Sequence, residues 1–297
     1  MKFLAADLGA SSGRTIVGRI EGSDITLDET HRFENSPDEV DGSKRWNAPR
    51  LADELAKGIA AAGEVDGIGL DTWGVDYGLL DGDGALVDQP FAYRDGRSGK
   101  AVAEVYKRIS RKRLYAITGL QEMSINTVFQ LTADMMDDPG RLETAETMLM
   151  MPNLLVYLLT GAAASEYTIC STSGLIDART RTWSDEIIEA LGLPRGIFED
   201  VQLPGSNVGA YEGVPVCLTA MHDTASAVAA VPAAGGSDWA YLSSGTWSLI
   251  GAELDEPRLN AEAAAANFTN EGGVDGKIRF LKNITGLWLI QECRRIW

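Results

Sequence analysis

The sequence contains few of the residues that build metal centres and disulfide frameworks. Its 297 residues include three cysteines and two histidines. The cysteines, Cys170, Cys217 and Cys293, are odd in number, widely spaced and without a CxxC pair, which is typical of reduced thiols in the cytoplasm. With only His31 and His222 available, a zinc site made of several histidines is not expected within one chain.

Long apolar runs are also lacking. The chain begins MKFLAAD, and Asp7 interrupts the apolar run too early for a signal peptide. The most apolar stretch, residues 148–159, contains Pro152 and Asn153 and is shorter than a bilayer span. The sequence therefore predicts a cytoplasmic protein without a membrane span.

Positive charge is scarce. The 26 lysines and arginines face 43 aspartates and glutamates, which gives a net charge of −17. Such a field repels phosphate backbones and anionic membrane surfaces, so neither a nucleic acid nor a membrane is an expected partner. A small anionic substrate stays open, because backbone N–H groups and one bound cation can reverse the sign locally.

One local pattern occurs near both ends of the chain. Residues 3–20 read as an apolar strand, the turn DLGASSG (7–13) and a second apolar strand, and residues 239–251 repeat strand, glycine-containing turn and strand. The backbone N–H groups of such turns can converge on a phosphate. A plain hairpin turn explains one copy equally well, but the second copy favours two related halves that bind phosphate across a cleft.

The segment HDT (222–224) stands where an apolar strand gives way to an alanine-rich helix. Asp223 suits a helix cap at this point, and it equally suits a general base that accepts a hydroxyl proton during phosphoryl transfer. No GxxxxGK[ST] or GxSxG sequence occurs, so neither a Walker-type loop nor a serine hydrolase is expected.

Two further segments suit the recognition of a sugar. DTWGVD (71–76) combines carboxylates with an indole, and YRDGR (93–97) offers further hydroxyl contacts. A buried tryptophan with capping aspartates and an ion-paired loop are the structural alternatives. On the residues alone, both interpretations stay open.

Several runs together resemble one protein family. They are DLGASSGR (7–14), GLDTWGVD (69–76), AYRD (92–95), SEYT (165–168), HDTASA (222–227), YLSSGTWSL (241–249), TNEGG (269–273) and LKNI (281–284). The first is similar to the phosphate motif of the actin, sugar-kinase and chaperone ATPase superfamily. The whole set resembles the FGGY family of carbohydrate kinases, within it the branch that phosphorylates L-rhamnulose, and it covers essentially the whole chain.

The resemblance implies an α/β protein with the actin-like ATPase (ribonuclease H-like) fold, with two related domains around a cleft. Residues 1–217 would form the sugar-binding N-terminal domain and residues 218–297 part of the nucleotide-binding C-terminal domain. Members of the family are longer than this chain, so we expect the second domain to be incomplete. Apolar faces without a covering layer would then favour self-association.

The resemblance also implies a role for individual residues. Asp223 would be the catalytic base, and Asp7 would lie near Mg²⁺. The expected ATP contacts are Ala10, Ser11, Ser12, Gly13, Arg14, Thr246 and Gln291. The expected sugar contacts are Gly74, His222, Asp223, Thr224 and Asn283, to which the two segments above add Trp73, Asp76 and Arg94.

The reaction implied is transfer of the γ-phosphoryl group of ATP to the 1-hydroxyl of L-rhamnulose, with ATP and Mg²⁺ as cofactors. A kinase for another ketose or polyol, such as fuculose or xylulose, is the alternative among enzymes. A truncated, non-catalytic sugar-binding fragment is the alternative from another class of protein.

Overall fold

The computed structural model describes residues 1–233, 239–245 and 247–297, apart from the side chains of Gln291 and Arg295. In chain order the strands are β1 (Lys2–Leu8), β2 (Ser12–Glu21), β3 (Asp24–Glu34), β4 (Asp38–Val40), β5 (Ser43–Arg45), β6 (Gly67–Thr72), β7 (Tyr77–Leu80), β8 (Thr147–Met150), β9 (Ser165–Glu166), β10 (Ile176–Asp177), β11 (Thr182–Trp183), β12 (Val201–Gln202), β13 (Asn207–Tyr211), β14 (Val214–Cys217), β15 (Tyr241–Ser244), β16 (Trp247–Leu254), β17 (Thr269–Gly272) and β18 (Ile278–Thr285).

The α-helices are α1 (Ala48–Ala62), α2 (Ala101–Arg108), α3 (Arg111–Thr118), α4 (Thr127–Asp137), α5 (Gly140–Thr144), α6 (Met151–Thr160), α7 (Tyr167–Cys170), α8 (Asp185–Leu191), α9 (Asp223–Ala229), α10 (Ala261–Ala265) and α11 (Trp288–Ile296). Short 3₁₀ helices cover Tyr93–Asp95, Arg97–Lys100 and Arg195–Ile197. No helix among the described residues has the length and apolar character needed to cross a membrane.

The first unit is built on a mixed sheet with the strand order β13-β14-β6-β1-β2-β3. Strands β1, β2 and β3 form consecutive antiparallel hairpins, while β6 runs parallel to both β1 and β14. The hairpin predicted for residues 3–20 is therefore confirmed. Because the three parallel strands end at the same edge, the residues that follow β1, β6 and β14 meet there.

Helix α1 shows how the sequence specifies a local element. The side chain of Asn47 accepts a hydrogen bond from the backbone N–H of Arg50, which caps the helix. Leu51, Leu55 and Ile59 follow at helical spacing and are buried under the sheet. Helix α1 is thus capped and amphipathic, and it covers the core beneath the strands.

The second unit is a four-stranded antiparallel sheet with the order β15-β16-β18-β17. On one face Tyr241, Leu249 and Leu281 pack with Val228 from α9 in a small separate core. The opposite face carries the exposed apolar side chains of Leu242, Ile250 and Ile284. The strand-turn-strand repeat predicted for residues 239–251 is this β15–β16 hairpin.

The two units meet along β17. Asn270 donates hydrogen bonds from its backbone and its side chain to the carbonyl of Gly119, and the N–H of Gly272 donates to Ser171 Oγ. The domain boundary expected after residue 217 stays a prediction. Leu218 belongs to the large core of the first unit, whereas Val228 belongs to the small core of the second.

Candidate active site

A cavity of about 470 Å³ lies where the carboxyl ends of the parallel strands face the β15–β16 hairpin. The first unit and the segment that follows β14 contribute many of the residues expected at the site. They are Asp7, Ala10, Ser11, Arg14, Trp73, Gly74, His222, Asp223 and Thr224. From the second unit the cavity is lined by Ser243, Ser244, Gly245 and Asn283. The two hairpins singled out in the sequence therefore share one cavity.

The turn between β1 and β2 is held by a residue that the motif did not indicate. The N–H of Gly9 donates to the carbonyl of Ser12 at 2.9 Å. The buried Asn35 donates from Nδ2 to the carbonyl of Gly9 at 2.7 Å and from its backbone to that of Ser11 at 3.2 Å. Asn35 lies at the end of β3, outside the motif, and only the folded hairpin brings it to the turn.

Two of the expected ATP contacts, Ser12 and Gly13, belong to β2 and lie outside the cavity lining. At Gly13 an added Cβ would lie 2.2 Å from the ring of Phe33. That glycine therefore serves the packing of β3 onto β2 in this structure. The residues of the turn that line the cavity are Gly9, Ala10 and Ser11.

Asp7 and Arg14 form an ion pair at the rim of the turn. Arg14 donates to Asp7 Oδ2 from Nε at 3.0 Å and from Nη2 at 2.8 Å. Asp7 stands opposite Asp71 in the β1–β6 register. Burial raises the pKa of Asp71 well above its usual range, and the charges of Asp7 and Asp223 raise it further.

Asp7 and Asp223 line the cavity, and carboxylate oxygens are the ligands that Mg²⁺ prefers. In the described part of the chain, no three His, Cys, Asp or Glu side chains are grouped so that they could hold a metal by themselves. Mg²⁺ is usually held by one or two carboxylates together with substrate phosphates and water. Asp7, with Oδ2 fixed by Arg14 and its carboxylate facing the cavity, fits that type of binding.

Asp223 opens helix α9 with its carboxylate at the cavity. Its Oδ1 accepts hydrogen bonds from the backbone N–H of Thr224 at 2.5 Å and from the Thr224 hydroxyl at 3.1 Å. Its Oδ2 has no hydrogen-bond partner among the residues that the structure describes. The cap position of α9 belongs to His222, so Asp223 does not cap the helix. A base with one uncommitted oxygen can accept a proton.

Gly74 lets the ring of His222 come close to the backbone of the DTWGVD segment. A Cβ at this position would lie 3.3 Å from His222 Nε2 and 3.3 Å from Thr172 Oγ1. The next residue, Val75, has a φ of 70°, which is strained for a β-branched side chain, and its N–H donates to Thr172 Oγ1. Strain held by surrounding contacts is common at functional sites.

Asp76 does not reach the cavity, which differs from the sugar contact expected of it. Its Oδ2 accepts hydrogen bonds from Trp46 Nε1 at 2.6 Å, Trp73 Nε1 at 2.9 Å and the N–H of Tyr93 at 3.1 Å. Its Oδ1 accepts from Gln130 Nε2 at 3.0 Å. Burial raises the pKa of Asp76 to about 6, against the effect of these donors. Asp76 therefore holds Trp73 in place, and Trp73 forms part of the cavity wall.

The expected sugar contact Arg94 lies away from the cavity. Arg94 is exposed and donates from Nε to the hydroxyl of Tyr93, and Tyr93, not Arg94, lines the cavity. Thr246 lies outside the described residues. Gln291 lies in α11, and its side chain is likewise outside the described part. The ATP contacts expected of Thr246 and Gln291 stay predictions.

Asn283 is fixed by a side chain from the other unit. Gln121 Oε1 accepts from the Asn283 N–H at 2.8 Å and from Asn283 Nδ2 at 3.2 Å. Gln121 Nε2 in turn donates to the Asn283 carbonyl at 3.3 Å. No motif marks Gln121, since a pairing across 162 residues leaves no local signal in a single sequence.

Glu166 holds the chain just before the candidate base. Its Oε1 accepts from the N–H of Thr168 at 2.8 Å, and its Oε2 accepts from the Thr168 hydroxyl at 2.7 Å and from the N–H groups of Ile169 and Met221. The Thr168 hydroxyl also accepts from the N–H of His222 at 3.2 Å. Burial raises the pKa of Glu166 to about 7. The SEYT run, to which the sequence assigned no role, therefore positions Met221 and His222, which precede Asp223.

The arrangement suits transfer of a phosphoryl group to an alcohol. An aromatic wall, a histidine and an amide surround a carboxylate with an uncommitted oxygen, and two hairpin turns face the same space. Such a site supplies positioning, charge stabilisation and a proton acceptor, which are what phosphoryl transfer requires of a protein.

Comparison with protein families matches two domains. Residues 3–230 match the N-terminal domain, and residues 240–297 the C-terminal domain, of the FGGY family of carbohydrate kinases. The rhamnulokinase of Bacteroides thetaiotaomicron is 45% identical over 309 aligned residues, which cover 99% of this chain and 64% of that protein. The rhamnulokinase of Enterococcus faecalis is 42% identical, with 99% of this chain and 62% of that protein covered.

Solved structures show the same fold. The ligand-bound xylulose kinase from Lactobacillus acidophilus superimposes with a TM-score of 0.84 at 15% identity, over 99% of this chain and 62% of that one. The glycerol kinase of Plasmodium falciparum with ADP gives a TM-score of 0.79 at 15% identity, over 98% and 63%. The expected actin-like fold is confirmed, and this chain spans about 62 to 64% of the length of the curated relatives named above.

Proposed function

This chain belongs to the FGGY family of carbohydrate kinases, and we propose that its cavity binds a ketose beside Asp223 and phosphorylates it with ATP. The substrate that we propose is L-rhamnulose, with the 1-hydroxyl as acceptor and L-rhamnulose 1-phosphate as product. The relatives named rhamnulokinase, at 42 and 45% identity, support this choice. The observation that carries the proposal is the uncommitted Oδ2 of Asp223 in the cavity that both hairpin turns line.

In the proposed reaction, Asp223 accepts the proton of the attacking hydroxyl. A bond forms between that oxygen and the γ-phosphorus, and the bond from the γ-phosphorus to the bridging oxygen of ADP breaks. The Thr224 hydrogen bonds hold Oδ1, which leaves Oδ2 to face the acceptor. Asn283, fixed by Gln121, and the ring of His222 would orient the sugar hydroxyls.

The phosphate chain would lie between the two turns. Ala10 and Ser11 on one side offer backbone N–H groups that suit anionic oxygens, and Ser243 and Ser244 line the other side. The N–H groups of Gly9 and Gly245 are bonded within their own turns, which fixes the shape of both. Mg²⁺, when bound with ATP, supplies positive charge to the phosphate oxygens. Asp7 would hold the ion, and Arg14 keeps that carboxylate in place through its bonds to Oδ2.

Two further statements belong to this proposal. We place the protein in the cytoplasm, where ATP is available to a sugar kinase. We also propose that copies of the chain associate through the exposed apolar face of the second sheet, where Leu242, Ile250 and Ile284 are neighbours on the strands β15, β16 and β18.

A phosphorylation assay on a panel of ketoses tests the function. With ATP and Mg²⁺, we expect L-rhamnulose to give the highest kcat/KM, above L-fuculose and D-xylulose. A higher kcat/KM for either of the other sugars would still identify a carbohydrate kinase, but it would show that L-rhamnulose is not its preferred substrate.

Calorimetry with L-rhamnulose and with ATP and Mg²⁺ tests the rival hypothesis. The proposed kinase binds both ligands. Sugar binding without nucleotide binding or turnover would instead identify this chain as a non-catalytic sugar-binding fragment.

A further inference from the structure

A buried ion pair from the second sheet lies directly behind His222. Glu271 on β17 and Arg279 on β18 face each other in the strand register, and Arg279 Nη2 lies 3.1 Å from Glu271 Oε2. Both residues are buried, Arg279 completely. Arg279 Nη2 also lies 3.0 Å from His222 Nδ1. The pair therefore connects the second unit to a histidine of the proposed sugar site.

The chemistry of this contact decides which nitrogen of His222 carries hydrogen. Arginine only donates hydrogen bonds, so the Nδ1 of His222 must be the acceptor in the contact with Arg279 Nη2. A neutral imidazole with an accepting Nδ1 carries its hydrogen on Nε2. The imidazolium has donors at both nitrogens and therefore lacks the acceptor that this contact requires.

The opposite tautomer would need Glu271 as its acceptor. His222 Nδ1 lies 3.4 Å from Glu271 Oε2, but this oxygen accepts no hydrogen bond from any residue that the structure describes. An Nδ1–H group would also point at the guanidinium of Arg279, which is itself a donor. The positive charge of Arg279, 3.1 Å from Glu271 Oε2, keeps Glu271 as its anionic partner.

The guanidinium cannot easily turn away from this contact. Arg279 Nε donates to the carbonyl of Gly272 at 2.7 Å, and the N–H of Gly272 donates to Ser171 Oγ at 2.8 Å. An added Cβ at Gly272 would lie 2.6 Å from the ring of Tyr167, so this strand is packed tightly on the first unit. The backbone of β17 thus fixes Arg279 relative to His222.

We propose that Arg279, with Glu271 as its counter-ion, is a positioning residue that holds His222 in the Nε2–H tautomer. The Nε2–H group then points to the cavity, where it lies 3.3 Å from Asp223 Oδ1 and beside Gly74. It donates to an oxygen of the bound ketose, a step that rests on the proposed function. The pair makes an acceptor oxygen on the substrate a requirement for binding at this point.

Nitrogen NMR on the full chain labelled with ¹⁵N-histidine tests the tautomer without any ligand. The chain has two histidines, so the variant His31→Gln assigns both rings. We expect a protonated-type shift at Nε2 and an unprotonated-type shift at Nδ1 of His222. A protonated Nδ1 would overturn the proposal, whether or not the chain binds L-rhamnulose.

Variants separate positioning from general stability. Arg279→Met alone would leave the buried Glu271 without its counter-charge, so it is combined with Glu271→Gln to remove both charges together. We expect the double variant to lose the preference for Nε2–H and to bind L-rhamnulose about tenfold more weakly, with nucleotide binding unchanged. Arg279→Lys keeps a donor and a positive charge at this position, so this single variant should retain the Nε2–H tautomer of His222.

Lys277→Met is the matched control, because Lys277 lies in the same hairpin and its side chain forms an exposed ion pair with Asp255. It should change neither the tautomer nor the sugar affinity. An unchanged Nε2–H tautomer in the folded double variant would remove Arg279 as the positioning group. Failure of the wild-type chain to bind L-rhamnulose would count against the proposed substrate and leave the NMR result to decide the role of Arg279.

Discussion

The indole N–H of Trp73 donates a hydrogen bond to Oδ2 of Asp76 across 2.9 Å. These residues stand three apart in the segment expected to contact the sugar, and the structure gives them different positions. Trp73 lines the cavity, whereas Asp76 is completely buried behind it. The carboxylate shapes the cavity wall through the tryptophan that it holds.

Replacing Asp76 should therefore lower the free energy of unfolding more than it weakens the binding of L-rhamnulose. In Asp76→Ala the indole N–H groups of Trp46 and Trp73 and the backbone N–H of Tyr93 lose their acceptor. Each buried donor left without a partner costs about 1–3 kcal/mol, so we expect a loss of at least about 3 kcal/mol in the free energy of unfolding. Chemical denaturation followed by tryptophan fluorescence measures this loss.

Asp76→Asn keeps an acceptor and should cost about 1–2 kcal/mol, with the affinity for L-rhamnulose nearly unchanged. A folded Asp76→Asn protein that has lost sugar binding would instead show that the carboxylate contacts the sugar. Asp24→Ala, at an exposed position, is the reference and should stay within about 0.5 kcal/mol of the parent chain.

Removing the charge of Asp223 should abolish turnover while the sugar still binds. In Asp223→Asn the amide cannot accept the hydroxyl proton, so kcat should fall about 10²- to 10⁴-fold. The dissociation constant of L-rhamnulose, measured by calorimetry, should change by no more than about threefold, since the hydrogen-bonding shape is retained. Asp24→Asn serves as the matched control, and equal turnover in both variants would remove Asp223 as the base.

The stability of the chain should depend on pH through Glu166. Its pKa is raised to about 7 by burial, whereas a glutamate in the unfolded chain titrates near its ordinary value of 4.5. Between pH 4.5 and 7 the folded state therefore binds more protons, so stability falls as the pH rises across this window and levels off above it. The difference between these two values corresponds to a contribution of about 3 kcal/mol to the free energy of unfolding.

Glu166→Gln does not titrate, so its free energy of unfolding should fall less between pH 4.5 and 7 than that of the parent chain, by about 3 kcal/mol. Asp76, whose pKa is raised to about 6, contributes in the same direction in both proteins and cancels in this difference. Denaturant titrations at several pH values give both curves. Parallel curves would show that Glu166 is ionised throughout the window.

The exposed face of the second sheet should drive association of the chain. Leu242 is 60% exposed and Ile250 48% exposed, and they are direct cross-strand neighbours. Leu242→Lys with Ile250→Lys should shift the chain towards monomer in sedimentation velocity. Leu27→Lys, at an exposed position on β3 of the first unit, should leave the distribution unchanged. A monodisperse monomer in the parent chain would contradict the proposed association.

The sequence predicted most reliably the features that local chemistry dictates. The Asn47 cap and the apolar spacing of Leu51, Leu55 and Ile59 specify α1 without reference to any other segment. The turns near Gly9 and Gly245 likewise predicted hairpins, because a hairpin is specified by apolar strands and turn-forming residues that lie within a few positions of one another. The position of Asp223 after an apolar strand indicated its place at the edge of the sheet.

The roles of Asp76, Asn35 and Gln121 could not be predicted in this way. Asp76 and Trp73 stand in the same motif, and the motif does not say which of them faces the cavity. That choice follows from Trp46, Tyr93 and Gln130, which converge on Asp76 from distant parts of the chain.

The two hairpins, the order of the motifs and the chemical groups available to them can be read from the amino acids alone, since these depend on side-chain type and short-range spacing. Only the tertiary structure decided which groups face the ligand and which hold others in place. Hydrogen bonds such as that from Arg279 to His222 form between segments that chain folding brings together. A buried donor must find an acceptor wherever packing has put one, and packing is a property of the whole fold.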